Sequence, residues 1–195
     1  MGLLAALAAL SWGADAALTS RRPFSLEGAR RRICLLMALG VNLWTAAALL
    51  PDPSPVRACS WFFLANGLFL TAVTDLLEQM VYDVHFYALL LGGAVSAFLR
   101  PEISFPGNCL LFLAVLGVLF LISRRKPGLG MGDSRMIACM ALYFPLSRWM
   151  EVLLLSLGAA MLYGLLGMVR KQKNLKTELP FMPFLLMGVL LEFMM

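Results

Sequence analysis

The chain has 195 residues, of which 61% are hydrophobic and only 14% are charged, a balance that excludes an ordinary water-soluble domain. The formal net charge of +5 does not indicate nucleic-acid binding, because the basic residues lie in short runs between apolar segments and form no basic face. The four cysteines are widely separated and lack the spacing of a zinc site or redox motif. We therefore expect an all-α integral membrane protein without a metal or cofactor.

Seven or eight apolar segments follow one another along the chain, most of them near the length of about 20 residues that a helix needs to cross a bilayer. The predicted segments are residues 2–18, 33–50, 56–74, 84–99, 108–123, 133–144, 148–169 and 181–195. The first is expected to be a retained anchor, because its positive charges follow the apolar run, whereas those of a signal peptide precede it. The chain shows no internal repeat, so residues 1–195 are expected to form a single membrane domain.

The basic residues are distributed unevenly between the two sides of these segments. Thirteen of the sixteen Lys and Arg residues fall in three alternate connections, at residues 21–32, 124–135 and 170–176. Positive residues in short loops tend to remain in the cytoplasm. This distribution predicts a multi-pass protein of the cytoplasmic (inner) cell membrane, with eight helices and both termini outside the cytoplasm.

Two aspartates mark the cytoplasmic boundary in this topology. Asp75 follows the third segment, and Asp133 opens the sixth after two intervening crossings, so both carboxylates return to the same face. Gly130 and Gly132 suit a bend that lets another chain approach closely, although an isolated Asp here is also a favourable helix N-cap. Acids at a membrane boundary are unfavourable unless they are solvated, paired or functional, and two brought together favour function.

A close pair of carboxylates has the chemistry of an aspartic peptidase. The two do not easily ionise together, so they share a proton; one then acts as the base that activates water and the other as the acid. The pair titrates as a unit, and the sequence assigns neither role to a named residue. His85, the only histidine, is expected to be a packing or interfacial residue, which leaves no competing serine or cysteine arrangement.

Three stretches of the sequence resemble motifs of the type IV prepilin peptidases, in the order in which that family has them. Residues 75–83 (Asp-Leu-Leu-Glu-Gln-Met-Val-Tyr-Asp) resemble the first aspartate motif, residues 130–135 (Gly-Met-Gly-Asp-Ser-Arg) the GxGD motif, and residues 178–184 (Glu-Leu-Pro-Phe-Met-Pro-Phe) the stretch that opens the last helix. The resemblance covers about residues 33–195. It implies a membrane-embedded aspartic endopeptidase that removes the short basic leader from prepilins or pseudopilins at the cytoplasmic face.

Position by position, the resemblance implies that Asp75 and Asp133 are the catalytic pair and that Gly130 and Gly132 support the second of them. Asp83 competes with Asp75, because Tyr-Asp followed by GxGD also resembles the presenilin and signal peptide peptidase class, whose third motif, Pro-Ala-Leu, this sequence lacks. In the favoured interpretation, Asp83 caps the next helix or orients Asp75.

The sequence departs from the family pattern at several positions. These are Leu77, Tyr82, Ser134, Arg135 and Met182. Arg135 keeps a positive charge where the family usually has Lys, but the two are not equivalent, so substrate preference is affected more than chemistry. Residues 19–32 also leave no room for the cytoplasmic domain with two CxxC pairs that larger, N-methylating members carry. We therefore expect cleavage without N-methylation.

Other roles remain open for several of these features. Pro180 and Pro183 either shape the wall beside the catalytic pair or only begin the last helix. A small proton-coupled transporter is a rival function, although the sequence has no repeat with paired broken helices. A non-catalytic pilus or secretion assembly protein on the same fold is another. The expected partners are a prepilin or pseudopilin and the lipid bilayer, with no nucleic acid, and the oligomeric state stays open.

Overall fold

A computed structural model describes residues 28–49, 54–100, 104–125, 130–169 and 179–193. Within these ranges the regular structure is entirely helical, which confirms the predicted all-α class for this part of the chain. The helices are α1 (Gly28–Leu49), α2 (Pro55–Glu78), α3 (Asp83–Leu99), α4 (Phe105–Arg125), α5 (Met131–Met140), α6 (Leu146–Val169) and α7 (Met182–Glu192). The first predicted segment, residues 2–18, lies outside the described residues.

Three helices of the described chain, α2, α4 and α6, are long and apolar enough to cross a membrane. Shorter apolar helical stretches accompany them: Leu36–Ala47 within α1, and the helices α3 and α7. On α4, large apolar side chains such as Leu110, Leu113 and Leu121 are exposed, and only 6% of its most apolar window is buried inside the protein. Surfaces of this kind suit contact with lipid. The protein is therefore a helical membrane protein, and the larger number of crossings stays a prediction.

The boundaries of α2 place the first aspartate motif on a helix. The side chain of Ser54 caps the helix by accepting a hydrogen bond from the Arg57 N–H, and Pro55 occupies the first helical position. The helix continues beyond residue 74, where the predicted segment ends, because the Gln79 N–H still donates to the Asp75 carbonyl. Gln79 then adopts a left-handed conformation (φ 53°) that ends the helix. Asp75 therefore lies in the last turn of α2 instead of beyond it.

Helix α2 lies at the centre of the bundle, where it packs against α1, α3 and α7. One face of it is buried at helical spacing. The buried apolar residues on that face include Leu64, Ala65, Leu68, Phe69 and Ala72. Helix α5 packs against α3 and α4, and α6 packs against α7. This arrangement brings the C-terminal end of α2 and the N-terminal ends of α3, α5 and α7 to the same end of the bundle.

Helix α5 is shorter than its predicted segment, because the chain leaves the helix and turns before the next one begins. Its C-terminal end is buried, so the carbonyl groups there need partners other than water. The Asn108 amide donates to the carbonyls of Ala141 (2.8 Å) and Phe144 (2.9 Å), and Arg100 donates to that of Tyr143 (3.1 Å). Both donors are 7% exposed. Polar side chains of the bundle therefore satisfy this helix end inside the protein.

Candidate active site

Asp75 lies in the last turn of α2 and is only 6% exposed. The backbone N–H of Met182 donates a hydrogen bond to its Oδ2 atom at 3.0 Å. A buried carboxylate needs such a donor, because leaving it without a partner is strongly unfavourable. The contact fixes one oxygen of Asp75 and couples the first motif to the third.

The donor belongs to the first turn of α7, whose unpaired N–H groups make a favourable site for an anion. The helix has no cap of its own, since the N-cap residue is Phe181, whose side chain has no acceptor. Asp75 supplies that acceptor from another helix. Pro183 lies within the first helical positions, where proline is tolerated. Pro180 precedes the helix and is partly buried. The two prolines therefore flank the N–H that holds Asp75.

Asp133 lies in the first turn of α5 and is half-buried. This helix is not among the candidate membrane spans. Burial, the larger cause, and the negative charge of Asp75 together raise the pKa of Asp133 from 3.8 to about 6. The second cause requires the two carboxylates to lie within electrostatic reach of each other. The fold thus brings together the two aspartates that the sequence singled out, although they are on different helices.

The two glycines before Asp133 allow close contacts that a side chain would block. Gly130, which holds the N-cap position of α5, needs no unusual backbone angle. Gly130 has a φ of −58°, which any residue adopts. A Cβ atom at Gly130 would come 3.1 Å from the Asp133 Oδ2 atom, so glycine leaves room for the carboxylate. A Cβ atom at Gly132 would come 2.7 Å from the Cβ atom of Val81. At Gly132 another part of the same chain approaches closely, and the approach of a second chain stays a prediction.

Asp83 is the first residue of α3, and the capping position before it is held by Tyr82. Its Oδ1 atom accepts a hydrogen bond from Arg135 Nη1 at 2.7 Å, so its ion-pair partner comes from the GxGD motif. In the described structure no hydrogen bond joins Asp83 to Asp75, and the role of Asp83 in orienting Asp75 stays a prediction. The sequence had not joined Asp83 to Arg135.

Two neighbouring residues complete this end of the bundle. The Ser134 hydroxyl lies 2.9 Å from that of Ser123 and donates to the Gly130 carbonyl, which links the start of α5 to the end of α4. The ring of His85 packs edge-on against the ring of Tyr82, with 5.9 Å between their centroids. In the sequence analysis, Ser134 was only a departure from the family pattern. Its pairing with Ser123 could not be predicted, because two serines on different helices form no recognisable sequence motif.

The geometry supports proton-sharing chemistry. Asp75 is held by a backbone donor, and Asp133 retains a proton to a higher pH than an ordinary aspartate. Two such groups supply a base and an acid for the hydrolysis of an amide.

Comparison with known families gives a match that contains both residues. A profile described as the type IV leader peptidase family matches residues 62–165. The match stops before the third motif and does not extend over the whole of residues 33–195. No significant match was found among curated proteins or among solved structures. Since the profile covers more than half of the chain, this helical membrane protein belongs to the type IV leader peptidase family.

Proposed function

We propose that this protein is an aspartic endopeptidase that removes the leader peptide from type IV prepilin-like or pseudopilin proteins, with Asp75 and Asp133 as its catalytic pair. Membership of a peptidase family supports hydrolysis of a peptide bond. The observation that carries the proposal is the relation between the two acids, because the charge of Asp75 contributes to the raised pKa of Asp133. Such mutual influence is what an aspartic peptidase needs in order to share one proton between two carboxylates.

The proposed reaction uses one water molecule and no cofactor. The ionised carboxylate of the pair removes a proton from water, whose oxygen attacks the carbonyl carbon of the leader peptide bond. The protonated carboxyl group hydrogen-bonds the developing oxyanion. Collapse of the tetrahedral intermediate breaks the carbon–nitrogen bond, and the departing amine receives a proton from the pair. The products are a free leader carboxylate and a new amino terminus.

The remaining residues of the three motifs support the pair. Gly130 leaves room for the Asp133 carboxylate, and Gly132 lets the start of α5 lie close against Val81. Pro180 and Pro183 flank the segment whose N–H holds Asp75. These roles account for the three motifs without a metal.

The cytoplasmic face is the proposed side of cleavage, because positive residues concentrate in the connections on the side of the two aspartates. On this side the site would bind the leader while the substrate is still in the membrane. We also propose that cleavage is not followed by N-methylation, because residues 19–32 are too few for a methyl-donor fold.

Co-expression with a candidate prepilin tests the proposal. Asp75→Asn and Asp133→Asn should each abolish leader removal, measured as the mass of the pilin, while the amount of membrane protein stays unchanged. The mature pilin should carry an unmethylated amino terminus. Cleavage retained by either variant would contradict the assignment of that residue.

Two further variants test whether the loss of any carboxylate, and not only of Asp75 or Asp133, abolishes cleavage. Glu151→Gln alters an exposed acid on α6 and should leave cleavage unchanged. Asp83→Asn should retain measurable cleavage, because its carboxylate pairs with Arg135. Complete loss in Asp83→Asn together with full activity in Asp75→Asn would exchange the two assignments.

A further inference from the structure

An ion pair joins the start of α5 to the start of α3. Arg135 Nη1 lies 2.7 Å from Asp83 Oδ1, and the two side chains are 40% and 69% exposed. Arg135 is two positions after Asp133 on the same helix. Asp83 follows Asp75 by way of the short turn at Gln79. The ion pair therefore links the two segments that carry the candidate catalytic acids.

Two further contacts act at the same junction. The guanidinium carbon of Arg135 lies 5.9 Å from the centroid of the Phe86 ring, within the range of a cation–π contact. Phe86 is buried in α3, so its ring is a fixed platform. Gly132, three positions before Arg135 and therefore on the same face of α5, packs directly on Val81. Asp133 thus lies between two residues that are each held against the segment from Val81 to Phe86.

Because the ion pair is exposed to solvent, we expect it to affect the position of the two helix ends more than the stability of the fold. Ion pairs at a solvent-exposed surface contribute little to stability. Their geometry still restricts where the two helix ends lie relative to each other. In a reaction that needs two carboxylates close together, displacement by about 1 Å can lower the rate by about a hundredfold.

We propose that Arg135 and Asp83 are positioning residues whose ion pair holds the first turn of α5 against α3 and so sets the separation of Asp133 from Asp75. This inference rests on the proposed function of those two acids. It gives Arg135 a role within the enzyme, distinct from any contact with the substrate.

The alternative to a positioning role is that Asp83 binds the basic leader directly. The kinetic constants kcat and KM distinguish these two roles. A positioning pair affects the chemical step, so losing either partner should lower kcat with little change in KM. A substrate contact at Asp83 affects binding, so Asp83→Asn should raise KM. Arg135→Gln, which removes a positive charge near a basic substrate, should then lower KM.

The experiment uses the full-length protein in a lipid bilayer with a prepilin-derived peptide that spans the leader junction. Asp83→Asn and Arg135→Gln should each lower kcat about tenfold, within the range known for misplaced catalytic groups. The double variant should be no slower than the slower single variant, because the partners act as one unit. Arg135→Lys should recover most of kcat. The matched control is Arg125→Gln, which removes an exposed positive charge from the last turn of α4 and should change neither constant.

A second measurement does not depend on catalysis. Spin labels at Val84 and Met131, which are both exposed and lie at the starts of α3 and α5, report the distance between the two helix ends. The labels would be placed in a variant whose native cysteines are replaced. The distance distribution should broaden in Asp83→Asn and in Arg135→Gln and remain narrow in Arg125→Gln.

The proposal is overturned if both single variants keep the parental kcat or the narrow distance distribution. It is also overturned if Asp83→Asn changes KM alone, or if the two substitutions multiply in the double variant. Failure of the proposed function would be seen differently: the parent protein would not cleave the peptide, or Asp75→Asn would still cleave it. The distance measurement still decides whether the ion pair sets the helix separation in that case.

Discussion

Gly132 lies so close to Val81 that a Cβ atom on Gly132 would come within 2.7 Å of the Val81 Cβ atom. The atom it would meet is attached directly to the backbone, so a rotation of the Val81 side chain does not relieve the overlap. The contact joins the first turn of α5 to the turn between α2 and α3. It therefore controls how closely the segments that carry Asp133 and Asp75 approach.

Gly132→Ala should move the start of α5 away from Val81. We expect a loss of about 1–3 kcal/mol in unfolding free energy, as for other overpacked sites, together with reduced leader cleavage. Thermal unfolding in detergent and a cleavage assay measure the two effects. Gly117→Ala on α4 is the control, because a Cβ atom there has no neighbour within 4 Å. Equal behaviour of the two variants would show that the contact imposes no constraint.

Asn108→Ala should destabilise the bundle through the end of α5. The substitution removes the partner of two buried carbonyls, and each unsatisfied group costs about 1–3 kcal/mol. Ser60→Ala is a control, because the hydroxyl of Ser60 donates to the Val56 carbonyl, which lies within the α2 helix and keeps its backbone partner. In urea or thermal unfolding, Asn108→Ala should be clearly less stable than Ser60→Ala, and the reverse order would contradict the proposed capping role.

The pKa of Asp133 predicts a pH window for the folded protein. In the unfolded chain this carboxyl loses its proton near pH 3.8, whereas in the folded protein it keeps it to about pH 6. The folded state therefore binds an extra proton between these values, and this contribution to stability is lost as the pH rises from 3.8 through about 6. An infrared titration of the protonated carboxyl band should show the transition, and Asp133→Asn should remove it.

The same titration separates the two causes of the shift. Asp75→Asn removes the negative charge that acts on Asp133, so the transition should move to a lower pH. It should stay above 3.8, because burial, the larger cause, remains. A transition that does not move would mean that the two carboxylates do not interact.

The sequence contained enough information to predict most of the described helices and to place Asp75 and Asp133 at the same end of the bundle. Apolar length predicted most of the described segments, and counting two crossings from Asp75 to Asp133 predicted that both return to the same end of the bundle. The continuation of α2 past Asp75 to the left-handed cap at Gln79 was missed, because nothing in the residue pattern marks it.

The hydrogen-bond partners were not predictable in the same way. The donor to Asp75 is a backbone N–H of Met182, and every residue except proline carries such a group, so residue type gives no indication of it. Asp83 and Arg135 were both singled out as supporting residues, but their pairing depends on how α3 and α5 pack. The same is true of Asn108, whose two carbonyl partners follow it by more than thirty residues.

The hydrogen bond between Asp75 and Met182 spans 107 positions of the sequence. A chain that stops before residue 182 therefore lacks the N–H group that fixes this carboxylate. The orientation of Asp75 depends on a helix that is synthesised long after the helix that carries it.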